Sequence, residues 1–188
     1  DVIQNTAKAL EAYLQEKVDK KDNRPIFIAS HVSLHFCWRT VQKGGDNMYA
    51  NLIFDVINKY AKQGLNIIFL FGHNHSDTYD DYLGGTAVYL RPGDKMAVPQ
   101  SSTTSYKTET LAFTYMNAGY VGYEKSACEP AGLSSSIFEI YSDKVIVSRY
   151  DANGLTNLQN KGVQDEGKLT PDSAPVEGSD TITLKDEF

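Results

Sequence analysis

The chain has 188 residues, a formal net charge of -6, a hydrophobic content of 41% and an aromatic content of 11%. These values predict one compact unit that can bury a core. Its lysines and arginines are scattered and form no basic stripe, which excludes nucleic-acid backbone binding as the main role. The apolar runs are far shorter than the roughly 18 residues that cross a bilayer, so we expect a soluble chain without a membrane segment.

The two cysteines and the first residue say little about the cellular compartment. Cys37 and Cys128 lie far apart and share no CxxC spacing. They indicate neither a disulfide framework nor a thiolate metal cluster, and they leave the redox state of both thiols open. The chain opens at Asp1 without an initiator methionine, so we expect any targeting segment to lie upstream.

The first helix and strand are predicted from apolar periodicity. Apolar side chains recur at three- to four-residue steps over residues 3–18, which is typical of a helix with one buried stripe. The continuous apolar run 26–29 predicts a strand buried on both faces. This run stops at Ser30 and His31.

A second helix and strand are expected to follow. The helix is predicted to begin near residues 46–47 and to end at Gly64. The run 66–71 then predicts a second buried strand, which stops at Gly72 and His73. Strand, helix and strand indicate a parallel pair, which would place histidines from both strands at one edge of the sheet. The apolar face of the helix is expected to contain Tyr49, Leu52, Ile53, Val56, Ile57 and Tyr60.

The second half of the chain is predicted to be mainly β. Residues 77–107 are rich in Gly, Ser, Thr and Tyr and indicate a long functional loop or insertion, with one strand-like patch at 86–90. Residues 151–188 have the composition of a polar linker or C-terminal extension. Between them we expect a third strand at 111–116 that runs into Asn117, and a hairpin formed by 136–141 and 144–150.

All four histidines fall at or just beyond the ends of the two most apolar strands. They are His31, His35, His73 and His75. Imidazole is a common ligand of transition metals, and this placement with His31 favours metal binding over a surface or structural role. His73 and His75 either share one site or serve two adjacent ions, and their spacing allows both. Gly72 can adopt a positive φ, which suits a sharp bend beside the ligands.

Several neighbouring residues have two interpretations each. His35 has two functional interpretations: it polarises a substrate phosphate, or it contacts and orients a metal ligand without binding the metal itself. The alternative is an ordinary loop histidine. Asn117 either donates a hydrogen bond to substrate in the same crevice or forms a turn. Packing is the favoured role for Cys37, and solvation for the acidic side chains of the following loop, Asp77, Asp80 and Asp81.

The order of these motifs resembles the C-terminal half of the calcineurin-like metallophosphoesterase domain. In that family one strand ends in a metal-binding histidine, the next ends in Gly-His-any-His, and a third ends near Asn and Gly. Here the corresponding segments are 26–31, 66–75 and 111–119. The resemblance covers residues 1–150 and implies an α/β fold, the C-terminal part of an α/β/β/α sandwich with mixed sheets flanked by helices. Residues 151–188 would follow it.

The resemblance also implies an activity and a metal complement. His31 and His73 would bind one divalent transition-metal ion and His75 a second, with manganese, iron, zinc and nickel as candidates. A hydroxide activated by the two ions would hydrolyse a phosphate mono- or diester, since paired ions activate the nucleophile and neutralise phosphoryl oxygens.

The chain departs from the family pattern, and these departures lead to further expectations about its partners and its activity. Ser33 stands where the family often has proline, and the Asp-any-His, Gly-Asp-any-any-Asp and Gly-Asn-His motifs are absent from this sequence. We therefore expect an upstream half of the domain as a partner, and little activity from this chain alone. Unpaired sheet edges would favour dimerisation or strand exchange. The alternatives are a non-catalytic interaction or cell-surface module, and an unrelated protein with a single zinc ion.

Overall fold

A computed structural model describes residues 2–36, 48–73, 89–102, 105–118, 121–122, 132–151 and 178–185. These ranges form a mixed α/β structure, as the sequence predicts, and none of their helices is long and apolar enough to cross a membrane. The helices are α1 (Val2–Asp19) and α2 (Ala50–Lys62). The strands are β1 (Ile26–Ser30), β2 (Ile67–Phe71), β3 (Tyr89–Leu90), β4 (Lys95–Pro99), β5 (Tyr106–Thr110), β6 (Thr114–Asn117), β7 (Val121–Gly122), β8 (Gly132–Ile140), β9 (Lys144–Asp151) and β10 (Gly178–Thr183).

The first sheet has the strand order β1-β2-β6-β3. β1, β2 and β6 run parallel, and β3 pairs antiparallel with β6. The predicted parallel pair is therefore confirmed, and the predicted third strand joins it. In the register Ser30 lies opposite Phe71, and Phe71 lies opposite Asn117. The carboxyl ends of all three strands consequently meet at one edge.

The two helices cover one face of this sheet. Alternate residues of β2, namely Ile67, Phe69 and Phe71, are buried in the same core as Leu14 of α1 and Ile57 of α2. Both helices thus bury an apolar stripe, which is the main source of helix stability in a globular protein.

The start of α2 differs from the prediction. The helix begins at Ala50, after Tyr49, whose φ of 64° is left-handed and whose side chain is exposed. The Tyr49 N–H donates to the Gln100 carbonyl oxygen at 2.6 Å, so the backbone turns toward β4 before the helix begins. Tyr49 was therefore wrongly predicted on the buried face, and Phe54 is buried there instead. Gly64, with φ of 107°, follows the helix end as expected.

A second, antiparallel sheet packs on the opposite face of the first. Its strand order is β10-β9-β8-β7, and it contains the predicted hairpin as β8 and β9. Ile68 and Leu70 point to this side and pack with Val145, Phe138 and neighbouring apolar residues. The rings of Phe27 and Phe138 meet edge to face at 5.2 Å between centroids. Helices, mixed sheet and antiparallel sheet thus form three successive layers.

The segment predicted as a long loop contains a hairpin. β4 and β5 pair antiparallel, with Met96 and Val98 buried against the helical core. The turn before β4 is closed by Asp94, whose carboxylate accepts the Arg91 N–H at 2.7 Å, and by Gly93 with φ of 102°. The sequence contained no signal for this hairpin because β5 is largely exposed and its residues are therefore mostly polar. Residues 77–88 lie outside the described ranges.

The predicted polar linker or extension contains strand β10. This strand pairs antiparallel with β9, and Leu184 beyond it is buried. Asn66 and Lys185 then exchange hydrogen bonds: the Asn66 Nδ2 donates to the Lys185 carbonyl at 3.2 Å, and the Lys185 N–H donates to the Asn66 Oδ1 at 2.8 Å. The Lys185 Nζ also donates to the Ala61 carbonyl at 2.6 Å. These bonds attach the segment after β10 to the entrance of β2.

Candidate metal site

The carboxyl edge of the first sheet collects the predicted site residues. His31 directly follows β1, His73 follows β2 after Gly72, and Asn117 is the last residue of β6. Polar side chains at this edge are typical of ligand sites in open α/β sheets, because the loops diverge there around a crevice.

His31 and His73 come together at this edge. The His31 Nε2 lies 3.1 Å from the His73 Nδ1, and the ring centroids are 5.0 Å apart with an interplanar angle of 79°. The Gly72 N–H donates to the His31 carbonyl at 3.3 Å, which joins the two strand exits. The predicted proximity of these two histidines is confirmed.

The sharp turn after β2 falls on His73 rather than on Gly72. His73 has a φ of 69°, in the left-handed region that costs a residue with a Cβ about 1 kcal/mol or more. Gly72 does not use the positive φ that glycine allows, and the left-handed residue of this turn is His73. Strained residues of this kind cluster at functional sites, where the surrounding structure holds the side chain in one direction.

The distance between the two nitrogens fits two ligands of one metal ion. With metal–nitrogen bonds of about 2.0–2.1 Å, two ligands lie about 2.9 Å apart at a right angle and about 3.4 Å apart at the tetrahedral angle. The observed 3.1 Å lies between these values. The same distance suits an N–H···N hydrogen bond between neutral rings, which would orient the pair before an ion binds.

The described ranges contribute this pair of histidines and no larger cluster. Within them, no group of three or more His, Cys, Asp or Glu side chains is arranged to hold a metal ion. His75, the expected ligand of a second ion, lies outside the described residues, as do Cys37, Asp77, Asp80 and Asp81.

His35 lies in the core and not at the open edge. Its side chain is fully buried, its Nδ1 lies 2.7 Å from the Tyr115 hydroxyl oxygen, and its ring meets that of Phe71 edge to face. His31, by contrast, is exposed. Of the two functional roles considered for His35, this buried position suits the orienting role. His35 would support the turn that carries His31.

Tyr115 is the residue of this region that sequence reasoning missed. Its hydroxyl oxygen accepts the Leu34 N–H at 2.8 Å in addition to its contact with His35. Its ring stacks on Phe71 at 4.6 Å between centroids. Tyr115 therefore connects β6 to the turn after β1. The sequence contained one signal for Tyr115: it lies in a predicted strand, two residues before Asn117, on the face that the helices cover.

Asn117 lies at the predicted edge but is buried. Only 1% of its surface is exposed, and the neighbouring Ala118 N–H donates to the Phe71 carbonyl at 2.8 Å. The sheet register thus continues past β6 and fixes the Asn117 backbone beside the exit of β2. A substrate contact by Asn117 stays a prediction.

Among the described residues, the largest pKa shift is that of Asp22, which lies in the loop that precedes β1, at the other end of that strand. Hydrogen bonds from Arg24, and to a lesser extent from Lys17, hold the pKa of Asp22 well below its usual range. The network stabilises the loop between α1 and β1 and has no direct contact with His31 among the contacts described.

Comparison with protein-family models, curated proteins and solved structures finds no match to this chain. The functional argument therefore rests on the residues and their geometry.

Proposed function

We propose that this chain supplies the histidine ligands of a dinuclear metal site in a phosphoesterase that hydrolyses phosphate mono- or diesters. The observation that carries the proposal is the 3.1 Å separation of the His31 Nε2 and the His73 Nδ1 at the carboxyl edge of two parallel strands. This separation is compatible with two imidazole ligands of one ion, because metal–nitrogen bonds are about 2.0–2.1 Å long.

The proposal assigns the metal ligands individually. His31 and His73 bind one divalent transition-metal ion, and His75 binds the other. When bound, the two ions supply Lewis acidity and a hydroxide nucleophile at neutral pH. His31 and His73 orient the first ion, and the left-handed backbone at His73 directs its ring toward His31.

The layer order is compatible with the same family. A metallophosphoesterase sandwich has helices, two sheets and further helices in succession. The described residues provide one helical layer, a mixed sheet and an antiparallel sheet in that order. Under the proposal a second helical layer and the remaining ligands come from other parts of the domain.

Carboxylate ligands are a requirement of the proposal. Three imidazoles bring no negative charge, and two divalent ions held a few ångströms apart repel each other strongly unless anionic ligands compensate. We therefore place the aspartates in an upstream half of the domain, which is this chain's principal partner. Under the proposal the 188-residue chain alone hydrolyses phosphate esters weakly or not at all.

His35 and Asn117 have supporting roles in this proposal. His35, held by the Tyr115 hydroxyl, keeps the turn after β1 in place and so orients His31. The proposal keeps Asn117, which the sheet register places beside Phe71 at the end of β6, as a candidate substrate contact.

The direct test is hydrolysis of bis-p-nitrophenyl phosphate by the intact protein with manganese, iron, zinc or nickel ions. Loss of a metal ligand costs more than the 10–100-fold typical of residues that only orient a ligand, so His73→Ala should lower kcat/KM by at least about 100-fold. Asp143→Asn, in the exposed turn between β8 and β9, is the control and should leave kcat/KM unchanged. Equal activity of the His73→Ala variant and the unmodified protein would remove His73 from the site.

The coding sequence upstream of Asp1 gives an independent test. Under the proposal it encodes Asp-any-His, Gly-Asp-any-any-Asp and Gly-Asn-His motifs in that order. If these motifs are missing, the enzymatic proposal is contradicted, and the chain is better described as a non-catalytic interaction module that retains the fold.

A further inference from the structure

β1 is a terminal strand of the first sheet. In the strand order β1-β2-β6-β3 it pairs, among the described residues, only with β2. The Ile26 N–H donates to the Asn66 carbonyl at 2.8 Å, so the backbone groups of Ile26 point toward β2. Because backbone direction alternates along a strand, those of Phe27 and Ala29 point to the open side. The sequence of β1, IFIAS, contains neither a charged residue nor a proline, which usually protect an exposed edge.

The two helices lie side by side and run in the same direction. Both cover the same face of the first sheet. Near their beginnings, Ile3 of α1 and Ala50 of α2 line one cavity together with Ser30, the last residue of β1. Further along, the Lys59 Nζ of α2 donates to the Glu11 Oε1 of α1 at 2.8 Å. Both helices therefore begin at the carboxyl edge of the sheet and run antiparallel to β1.

The handedness of strand–helix–strand connections relates α1 to the open edge. α2 connects the parallel strands β1 and β2, and such a connection is right-handed in about 98% of cases. α1 leads into β1 on the same face and in the same direction. If α1 also connects two parallel strands, the same hand places its preceding strand on the side of β1 opposite β2. That side is the open edge.

An apolar cavity lies beneath α1 beside this edge. It has a volume of about 280 Å³ and lies between α1, β1 and the start of α2. Among the described residues no charged side chain lines it. Protein interiors are close-packed, with few voids larger than a water molecule. A crossover helix packs over the strands on both sides of it, so the cavity lies where side chains of a strand preceding α1 would pack.

We propose that the segment directly upstream of α1 forms a strand that pairs parallel with β1 and fills the cavity with its inward side chains. The strand receives the outward backbone groups of Phe27 and Ala29 and ends at the carboxyl edge, beside His31. The existence of an upstream half rests on the proposed function. The position of the strand follows from the open edge, the direction of α1 and the cavity.

This position also brings upstream side chains within reach of the proposed metal ions. Two ions in such a site lie about 3.5–4 Å apart with ligand bonds of about 2 Å, so a carboxylate ligand lies within about 8 Å of a histidine ligand. A strand beside β1 lies about 4.8 Å from it. A strand added beyond β3, at the other end of the sheet, would lie about 19 Å from β1. Of the two terminal strands, β1 is the one that suits a ligand-bearing neighbour.

Amide hydrogen exchange, measured for individual residues by NMR, tests the pairing without any substitution. The comparison is between the intact protein and the 188-residue chain. The amides of Phe27 and Ala29 should exchange at least about 100-fold more slowly in the intact protein, because a backbone hydrogen bond must open first. The Ile28 N–H points toward β2 and is the internal control, with slow exchange in both samples.

Two results of this comparison overturn the proposal. One is fast exchange at Phe27 and Ala29 in the intact protein. The other is slow exchange at both residues in the 188-residue chain, which would show that another strand, such as one from a second copy, covers the edge. The measurement involves neither metal nor hydrolysis. Protection in a protein that does not hydrolyse phosphate esters would therefore contradict the proposed function and support this topology, and fast exchange in an active protein would do the reverse.

A proline substitution gives a second measurement. Ala29→Pro removes the outward N–H, which has a strand partner only in the intact protein under the proposal. The substitution should therefore lower the urea midpoint of the intact protein more than that of the 188-residue chain. Ala29→Val keeps the N–H and is the control, with similar shifts in both. Equal shifts of the two midpoints by Ala29→Pro contradict the pairing.

Discussion

The His31 Nε2 and the His73 Nδ1 lie 3.1 Å apart although 42 positions separate the two residues in the chain. The cause is the parallel pairing of β1 and β2, which brings both strand exits to one edge. The Gly72 N–H bond to the His31 carbonyl then joins the exits. The pair is thus a product of sheet topology, and its geometry is sensitive to the few contacts that fix each turn.

The left-handed backbone at His73 predicts an unusual ranking of two substitutions. Glycine adopts a φ of 69° without the steric cost that alanine pays. His73→Gly should therefore be more stable to urea than His73→Ala by about 1 kcal/mol, although both lack the imidazole. If the two variants unfold at the same urea concentration with equal slopes, the positive φ is absent in solution.

Removal of the Tyr115 hydroxyl should weaken the turn that carries His31. Tyr115→Phe keeps the stacked ring but leaves the buried Leu34 N–H without its acceptor, at a cost of about 1–3 kcal/mol in unfolding free energy. The affinity for a metal ion at His31 should fall as well. Tyr141→Phe, at an exposed position directly after β8, is the control and should change the stability by less than about 0.5 kcal/mol. A neutral Tyr115→Phe would contradict the supporting role of Tyr115.

The exchange of hydrogen bonds between Asn66 and Lys185 should contribute to global stability. Asn66 also donates to the Asn23 carbonyl at 2.7 Å, so Asn66→Ala removes three bonds at the entrance of β2. We expect a loss of about 2 kcal/mol by chemical denaturation, given roughly 0.5–1.5 kcal/mol for each bond. Asn51→Ala within α2 is a matched control, and the better helix propensity of alanine should make it neutral or stabilising. Equal effects of the two substitutions would show that the segment after β10 is not attached at Asn66.

The depressed pKa of Asp22 predicts a specific acid dependence. A carboxylate whose folded pKa lies below its unfolded value of about 3.9 stabilises the protein fully above that pH, and the contribution is lost as the pH falls toward the folded value. Asp22→Asn should therefore lower Tm at pH 7, and its Tm should approach that of the unmodified protein as the pH falls to about 2. A constant Tm difference across this range would contradict the assigned cause.

The helices and the parallel strands could be predicted because their signals are local. α1, β1 and β2 bury whole faces in the core. Buried positions need apolar residues, so these elements show an apolar stripe or an apolar run in the sequence. The proximity of His31 and His73 followed from the parallel arrangement alone. Adjacent parallel strands end side by side at one edge of the sheet, whatever sequence connects them, so residues just after the two strand ends lie close together.

The features that could not be predicted depend on distant contacts. The bond between His35 and Tyr115 joins residues 80 positions apart, so no local pattern encodes it. β5 is polar and largely exposed, and its pairing with β4 determines its conformation. β10 likewise lies in polar sequence and pairs with β9. The φ of His73 depends on the turn after β2 and is not an intrinsic preference of histidine.

The central claim is that His31 and His73 bind the same metal ion. Titration of the 188-residue chain with Co²⁺, a spectroscopic substitute for the proposed ions, measures this directly through the visible d–d absorption of nitrogen-bound metal. We expect saturable binding that weakens by at least about tenfold in both His31→Ala and His73→Ala and is unchanged in Asp143→Asn. If Co²⁺ binds the unmodified chain and both histidine variants with the same affinity and spectrum, the 3.1 Å histidine pair is not a metal site.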